Sequence, residues 1–193
     1  VYEMNVRQQT PEGTFAAAEE RLPFLRELGV DIIWLMPIHP IGELGRKGSL
    51  GSYYAIRDYR AVNPEFGTME DFERFLLRAH ELGFRVILDY VANHTSPDAA
   101  WVTEKDPAWY VRDSTGAPAV QYDWTDIAKL NYDCPAVREA MTDVMKFWIA
   151  KGVDGFRCDV AGEMPDDFWT AAFTELKSID PDIYLLAEGE GPN

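Results

Sequence analysis

Hydrophobic and polar positions follow two alternating patterns along this chain. Short runs of consecutive apolar residues are typical of buried strands, and they alternate with segments whose apolar residues recur every three or four positions, as in helices that face a core. The predicted strands cover residues 1–6, 30–37, 84–91, 152–160 and 183–188. The predicted helices cover residues 14–28, with a break or kink at Pro23, and residues 68–82, 135–151 and 165–179.

Each predicted helix has one apolar face that we expect to be buried. The second helix also begins with Thr68 and Asp71, which resemble a capping box with aspartate in the usual glutamate position. Glycine follows Leu28, Leu82 and Lys151, where a helix ends and an apolar strand begins. The residues expected to face the core are Phe15, Ala18, Leu22 and Leu25; Phe72, Phe75, Leu76 and Ala79; Val137, Ala140, Met141, Val144, Phe147 and Trp148; and Phe168, Ala172, Leu176 and Ile179.

Strict alternation of strands and helices predicts a parallel sheet with helices outside it. Polar residues follow the later strands at their C-terminal ends, where (β/α)8 barrels build active sites. An open doubly wound sheet would also bind its ligand there, but no Gly-x-Gly-x-x-Gly follows a strand. We therefore predict an α/β fold, a (β/α)8 TIM barrel. It is incomplete, because a full barrel needs about 250 residues. Residues 1–193 supply five strands and four helices, with an inserted, aromatic-rich domain at 95–132 after strand three.

Composition restricts the function classes. The chain has 193 residues, of which 47% are hydrophobic, enough for one sizeable core. A net charge of -15 argues against nucleic acid and anionic membrane surfaces as partners. No apolar run reaches the roughly 18 residues of a spanning helix, and no basic and then apolar leader opens the chain. The two cysteines fit neither a disulfide framework nor a metal site. Compartment and oligomeric state stay undetermined.

Candidate chemistry lies at the ends of the last two predicted strands. Strand alternation places Arg157 and Asp159 on one face, and Phe156, Cys158 and Val160 on the other. Asp159 and Glu188 fall at matching positions on neighbouring strands, where two carboxyls can stand about 5–5.5 Å apart, as in a retaining glycosidase.

The surroundings of these two carboxyls suggest different roles. Arg157 would keep Asp159 ionised by lowering its pKa, and Glu188, which follows an apolar strand, would hold its proton. Simpler interpretations stay open. Arg157 and Asp159 can form a structural ion pair, Asp89 can simply brace Arg157, and His94 can be a packing histidine.

Three motifs resemble consecutive signature regions of the α-amylase family, glycoside hydrolase family 13: Asp-Tyr-Val-Ala-Asn-His at 89–94, Gly-Phe-Arg-Cys-Asp-Val-Ala at 155–161 and Leu-Leu-Ala-Glu at 185–188. The resemblance covers essentially the whole chain and implies a (β/α)8 barrel with a domain inserted after strand three. It implies the following site residues: Asp159 as nucleophile, Glu188 as general acid and base, Arg157 and His94 in the sugar pocket, Asp89 supporting Arg157, and Tyr54 stacking under the sugar.

The chain also departs from the pattern of many α-amylases. Gly162 and Glu163 stand where those enzymes carry lysine and histidine, and Lys129 stands where calcium-binding members carry aspartate. Both features resemble the neopullulanase and cyclomaltodextrinase branch. We therefore expect no cofactor, and no calcium bridging Asn93 to the inserted segment, because an ammonium group excludes a cation. The family's third acid, an aspartate after strand seven, is not within residues 1–193.

The expected function is hydrolysis of α-1,4 or α-1,6 glucosidic bonds in starch-type polysaccharides or malto-oligosaccharides through a covalent glycosyl-aspartate. A transglycosylase or isomerase would use the same intermediate, and a non-catalytic carbohydrate-binding relative would lack the carboxylates. We expect residues 1–193 alone to be inactive and to self-associate. Unpaired edge strands and apolar helix residues such as Phe168, Ala172 and Leu176 would be exposed wherever the missing units would cover them.

Overall fold

The computed structural model describes residues 1–189. Five parallel strands form one sheet in the order β1-β2-β3-β6-β7, and a short antiparallel pair, β4 and β5, forms a second sheet. The parallel sheet agrees with the predicted α/β class and with five of the strands of a barrel. The strands are β1 (Tyr2–Met4), β2 (Ile32–Leu35), β3 (Arg85–Tyr90), β4 (His94–Thr95), β5 (Ala128–Lys129), β6 (Gly155–Cys158) and β7 (Tyr184–Ala187).

Seven α-helices and two 3₁₀ turns connect these strands within residues 1–189. None of these helices is long and apolar enough to cross a membrane. The helices are α1 (Val6–Gln9), α2 (Phe15–Glu19), α3 (Leu22–Glu27), α4 (Met69–Glu81), α5 (Ala100–Glu104), α6 (Pro135–Ala150) and α7 (Asp166–Ile179). The 3₁₀ turns are Pro107–Trp109 and Ala161–Glu163.

The predicted break near Pro23 is confirmed, although it falls slightly earlier. Helix α2 ends at Glu19 and α3 begins at Leu22, so Pro23 lies in the first turn of α3 rather than at the break. Proline is tolerated there because the first turn of a helix does not use its N–H groups within the helix. The side chain of Thr14 accepts the Ala17 N–H and begins α2.

The core forms where α2 packs on α4. The ring of Phe15 lies 5.5 Å from the rings of both Phe72 and Phe75, and all three side chains are buried. The predicted capping box of α4 is present: the Thr68 N–H donates to Asp71 Oδ2 at 2.8 Å, and the Asp71 N–H donates to Thr68 Oγ1 at 3.2 Å. Capping and the apolar face therefore specify the same helix, as the sequence predicts.

Two expectations about the helix faces are wrong. Ile179 is 52% exposed, because it is the last residue of α7 and the chain turns away at Asp180. Conversely, Phe168, Ala172 and Leu176 are at most 2% exposed, which agrees with their predicted place on the core-facing side of α7, so the exposure expected wherever missing units would cover them is not found. Residues within the chain already cover them; the Phe168 ring, for example, packs edge-on against Tyr132 at 4.6 Å.

The parallel sheet has two different faces. Ile33, Leu35, Val86, Leu88, Phe156 and Cys158 belong to the buried apolar core. The alternate residues of β2, β3 and β6, which include Trp34, Asp89 and Arg157, face the opposite side. Gly155 allows β6 to approach β7 closely, because a Cβ there would overlap the carbonyl of Tyr184. The register pairs Asp89 with Arg157, and Cys158 with Ala187, so the following residues Asp159 and Glu188 are level.

The segment after β3 leaves the main sheet. Strand β4 begins directly after Asn93 and pairs with β5 near the end of the segment, so that His94 lies opposite Lys129. Helix α5 and a 3₁₀ turn lie between the two strands. Because β4 and β5 share no strand pairing with the main sheet, residues 94–129 form a local unit at the C-terminal edge of the sheet.

Candidate active site

A single guanidinium contacts three carboxylates at the C-terminal ends of β3, β6 and β7. Arg157 Nη1 donates to Asp89 Oδ1 at 3.0 Å and to Asp159 Oδ1 at 2.8 Å. Arg157 Nη2 lies 2.8 Å from Glu188 Oε1. The structure therefore brings Asp159 and Glu188 to the same cation, as strand alternation predicts. One positive charge faces three carboxyl groups, so the cluster carries a net negative charge when all three are ionised.

Asp89 forms the buried floor of this cluster. Its side chain is fully buried, and Oδ2 accepts Trp34 Nε1–H at 3.1 Å and the Tyr54 hydroxyl at 3.3 Å. The Arg157 guanidinium lies 4.8 Å from the centre of the Trp34 ring. The expectation that Asp89 braces Arg157 is met, but the sequence analysis missed Trp34. Its signal was available, because Trp34 lies between two core residues, Ile33 and Leu35, and so faces the same side as Asp89.

The two carboxyls differ in burial from what their strands suggested. Burial raises the pKa of Asp159 to about 6, although Arg157 acts to lower it and Glu188 raises it further. The Asp159 side chain is 11% exposed, whereas that of Glu188 is 44% exposed. The apolar strand before Glu188 therefore does not bury that carboxyl. The more strongly desolvated member of the pair is Asp159.

Val160 follows Asp159 in a strained conformation. Its φ of 40° and ψ of 47° lie in the left-handed region, which β-branched residues rarely adopt. This geometry directs the Val160 N–H to Glu188 Oε2 at 2.8 Å. The expectation that Val160 continues the strand and faces away from Asp159 is therefore wrong. Strand β6 ends at Cys158, and Val160 lines the cavity beside Asp159.

A cavity of about 430 Å³ collects most of the predicted site residues. It is large enough for a small ligand of the size that protein pockets commonly bind. Asp89 lies beneath the cavity and reaches it only through Arg157 and Tyr54. The sequence analysis missed the contributions of the inserted segment and of Lys47. The lining residues are Lys47, Ser52, Tyr54, His94, Trp124, Asp126, Ile127, Arg157, Asp159, Val160 and Glu188.

His94 lines this cavity with a ring whose Nε2 is buried. Burial lowers the pKa of His94 to about 4, so the ring is neutral near pH 7. Its Nδ1 lies 3.0 Å from Asn93 Nδ2, and its Nε2 makes no well-aligned hydrogen bond among residues 1–189. The backbone carbonyl of Tyr54 acts on the ring as an acceptor and opposes the effect of burial on its pKa.

A second cleft, of about 470 Å³, continues from the first. Trp124, Val160 and Glu188 border both spaces, and Tyr122 and Glu163 line the second one only. Tyr122 is 70% exposed and packs edge-on against Trp124 at 5.0 Å. Glu188 therefore borders both clefts, whereas Asp159 lines the first one.

The residues around Asn93 do not fit a calcium ion. Calcium requires six to eight oxygen ligands. The Asn93 side-chain nitrogen instead contacts His94 and Gln121, and the nearest carboxylate of this network, Glu163, lies 3.9 Å from the ammonium of Lys129. An ammonium and two amide nitrogens occupy the region between the inserted segment and the loop after β6. The absence of calcium stays a prediction, which chelation tests.

Comparison with known proteins identifies the family. Residues 4–107 and 103–184 match the sequence profile "Alpha amylase, catalytic domain". An α-amylase structure from Lactobacillus plantarum is 44% identical, with a TM-score of 0.95, over 98% of this chain and 45% of that one. A noncanonic maltogenic α-amylase structure from Thermotoga neapolitana is 40% identical, with a TM-score of 0.88, over 97% of this chain and 45% of that one.

A curated relative extends the comparison to transferases. The α-1,4-glucan:maltose-1-phosphate maltosyltransferase of Cereibacter sphaeroides is 37% identical over 97% of this chain and 35% of that protein. The chain thus spans less than half the length of each relative named here. The profile match covers most of the chain and agrees with the predicted family and barrel, and the likeness to a maltogenic α-amylase agrees with the predicted neopullulanase and cyclomaltodextrinase branch. The chain therefore belongs to the α-amylase family, whose catalytic domain is a (β/α)8 barrel, and it forms part of that domain.

Proposed function

We propose that the full-length protein containing this chain is a retaining glycoside hydrolase that cleaves α-glucosidic bonds of starch-type glucans or malto-oligosaccharides. The single observation that carries this proposal is the Asp159 and Glu188 pair, held by one guanidinium beside two adjoining clefts. A cut in a sugar chain requires binding space on both sides of the reacting bond. Two adjoining clefts that share Glu188 as a border supply that space.

Asp159 would be the nucleophile. With a pKa of about 6, it is mostly ionised at pH 7, and its Oδ1 is oriented by Arg157. Its carboxylate would attack the anomeric carbon of the sugar in the cavity, and the bond between that carbon and the glycosidic oxygen would break. The product of this step is a glycosyl ester on Asp159.

Glu188 would be the general acid and then the general base. It would donate a proton to the glycosidic oxygen as that bond breaks, and it would later accept a proton from the incoming water. Water would attack the anomeric carbon from the side that the leaving group vacated, opposite to the ester, and the bond between that carbon and Asp159 would break, so the released sugar keeps its α configuration. The assignment is supported by the position of Glu188 one strand from Asp159, and by its accessibility from both clefts.

The remaining site residues would bind the sugar. His94 would contact the sugar, because its ring lines the cavity. Tyr54 lines the cavity, and an aromatic ring there can pack against sugar C–H groups. Asp89 would act indirectly, by holding Arg157 and the Tyr54 hydroxyl.

A transferase is the second candidate, favoured by the 37% identity to a maltosyltransferase. Both reactions would share the glycosyl ester, and they differ in whether water or a sugar hydroxyl attacks it. Incubation of the full-length protein with maltoheptaose, with and without maltose 1-phosphate, distinguishes them. Hydrolysis predicts shorter sugars alone, whereas transfer predicts chains longer than maltoheptaose. No product under either condition would contradict both proposals.

A further inference from the structure

A continuous line of buried polar side chains joins the cavity to the loop after β6. Asn93 Nδ2 lies 3.0 Å from His94 Nδ1 and donates to Gln121 Oε1 at 2.7 Å. Gln121 Nε2 then donates to Glu163 Oε2 at 2.5 Å. Asn93, His94 and Gln121 are each at most 7% exposed, so water has little access to replace these bonds.

Glu163 is the fixed end of this line. The hydroxyl of Tyr122 donates to Oε1 at 2.7 Å, and this bond lowers the pKa of Glu163, followed in effect by the bond from Gln121 and by the charge of Lys129. An ionised carboxylate can only accept hydrogen bonds. Near neutral pH, Glu163 therefore acts only as a hydrogen-bond acceptor. The side-chain amides of Gln121 and Asn93 can each be oriented in two ways, and the imidazole of His94 has two tautomers.

The ionised carboxylate of Glu163 determines which group donates in each hydrogen bond of the line. Glu163 requires the NH₂ group of Gln121, so the carbonyl oxygen of Gln121 faces Asn93 and accepts from its NH₂ group. The same NH₂ group of Asn93 faces His94 Nδ1, which must then accept. The single proton of the neutral imidazole is thereby assigned to Nε2, the buried nitrogen of a ring that lines the cavity.

We propose that Glu163 is a positioning residue that selects the Nε2–H tautomer of His94 through Gln121 and Asn93. The ring proton of His94 then lies on the buried nitrogen rather than on the nitrogen that faces Asn93. Because Glu163 lies four residues after Asp159, the same contacts tie the inserted segment to the loop beside the candidate nucleophile. The catalytic consequence rests on the proposed function, whereas the tautomer does not.

The tautomer can be measured without activity. We would label the full-length protein with ¹⁵N-histidine and record long-range ¹H–¹⁵N spectra at pH 7.5, assigning the His94 signals by their loss in His94→Gln. His39 provides an internal reference of opposite type, because its Nδ1 donates to the Ala61 carbonyl at 3.1 Å and burial lowers its pKa to about 4. We expect Nε2–H for His94 and Nδ1–H for His39.

Variants test the role of Glu163. Glu163→Met removes the acceptor, and we expect His94 to become a mixture of tautomers while the His39 signals stay unchanged. Glu163→Gln still offers an acceptor oxygen and should keep the Nε2–H form. Tyr122→Phe is the matched control, since it removes a bond to Glu163 at the other oxygen and leaves the line intact. With maltoheptaose, Glu163→Met should lower kcat/KM by about 10-fold to 100-fold, by analogy with residues that orient metal-binding histidines, and Glu163→Gln should restore most of it.

Several outcomes would overturn the proposal. Nδ1–H at His94 in the unsubstituted protein contradicts it without any variant, as does an Nε2–H form that persists in Glu163→Met. If Glu163→Met does not fold, Gln121→Leu interrupts the same line of hydrogen bonds nearer to His94. A His94 that keeps the Nε2–H tautomer in that variant also contradicts the proposal. If the unsubstituted protein does not act on glucans, the proposed function fails while the tautomer result stands by itself.

Discussion

The substitution Asp159→Asn should stabilise the protein while it removes the candidate nucleophile. Burial raises the pKa of Asp159 from an ordinary value of 3.8 to about 6. The folded protein therefore binds this proton more tightly than the unfolded chain, so stability falls as the pH rises between these two values. Asparagine is close to aspartate in shape, carries no charge and can still accept a bond from Arg157, so it escapes this loss.

The magnitude follows from the two pKa values. A change from 3.8 to about 6 corresponds to about 3 kcal/mol of unfolding free energy above pH 6. At pH 4.5, where most of the carboxyl in the folded protein is protonated, the same relation gives a loss of only about 1 kcal/mol of unfolding free energy. The free energy of unfolding of Asp159→Asn should thus be higher than that of the unsubstituted protein by about 3 kcal/mol at pH 7.5, and by about 1 kcal/mol at pH 4.5.

Urea unfolding of the full-length protein at both pH values measures this difference. Asp167→Asn is the matched control, because the hydrogen bond from Arg138 lowers the pKa of this exposed carboxyl, and its substitution should change stability in the opposite direction. An Asp159→Asn variant that is less stable at pH 7.5 would refute the reasoning. That result would mean that the ion pair with Arg157 outweighs the cost of burying the carboxylate.

Four further predictions follow from the same site. The kcat/KM for maltoheptaose should fall below about pH 6, as Asp159 takes up a proton; a pH profile flat down to pH 4.5 would contradict this. Arg157→Lys should lower turnover by about 100-fold, because one ammonium cannot make the separate Nη1 and Nη2 contacts that orient two carboxyls. EDTA should change neither activity nor melting temperature, because Lys129 and the amide of Asn93 oppose calcium; a loss that calcium restores would show the opposite. Residues 1–193 alone should self-associate in size-exclusion chromatography and release no sugar from starch, because β1 and β7 are unpaired edges of the described sheet; a monodisperse, active monomer would contradict this.

The order of strands and helices could be predicted because each signal was local and repeated. Apolar runs, helical periodicity and the glycines after Leu28, Leu82 and Lys151 all indicated the same boundaries, and the structure shortens most strands at their ends. The register of Asp159 with Glu188 was also predictable, since strand alternation and equal strand-end positions require no knowledge of packing.

Other parts of the site depend on contacts between distant segments, which local patterns do not reveal. Burial of Asp159 and exposure of Glu188 reverse the expectation from their strands, because solvent access is set by the loops above the sheet. The bonds from Gln121 and Tyr122 to Glu163 join segments 42 and 41 residues apart. The bond from Val160 to Glu188 joins residues 28 apart. Trp34 was the exception, since strand alternation alone would have placed it beside Asp89.

The most direct test of the proposed function is to identify the residue that carries the sugar. The full-length Glu188→Gln variant would be treated with a 5-fluoro-α-glucosyl fluoride, whose good leaving group does not require an acid and whose fluorine slows the second step. Peptide mass spectrometry should then find one glycosyl group, on Asp159. A glycosyl group on another residue, or release of inverted sugar without any labelled peptide, would contradict the assignment of Asp159 as the nucleophile of a retaining enzyme.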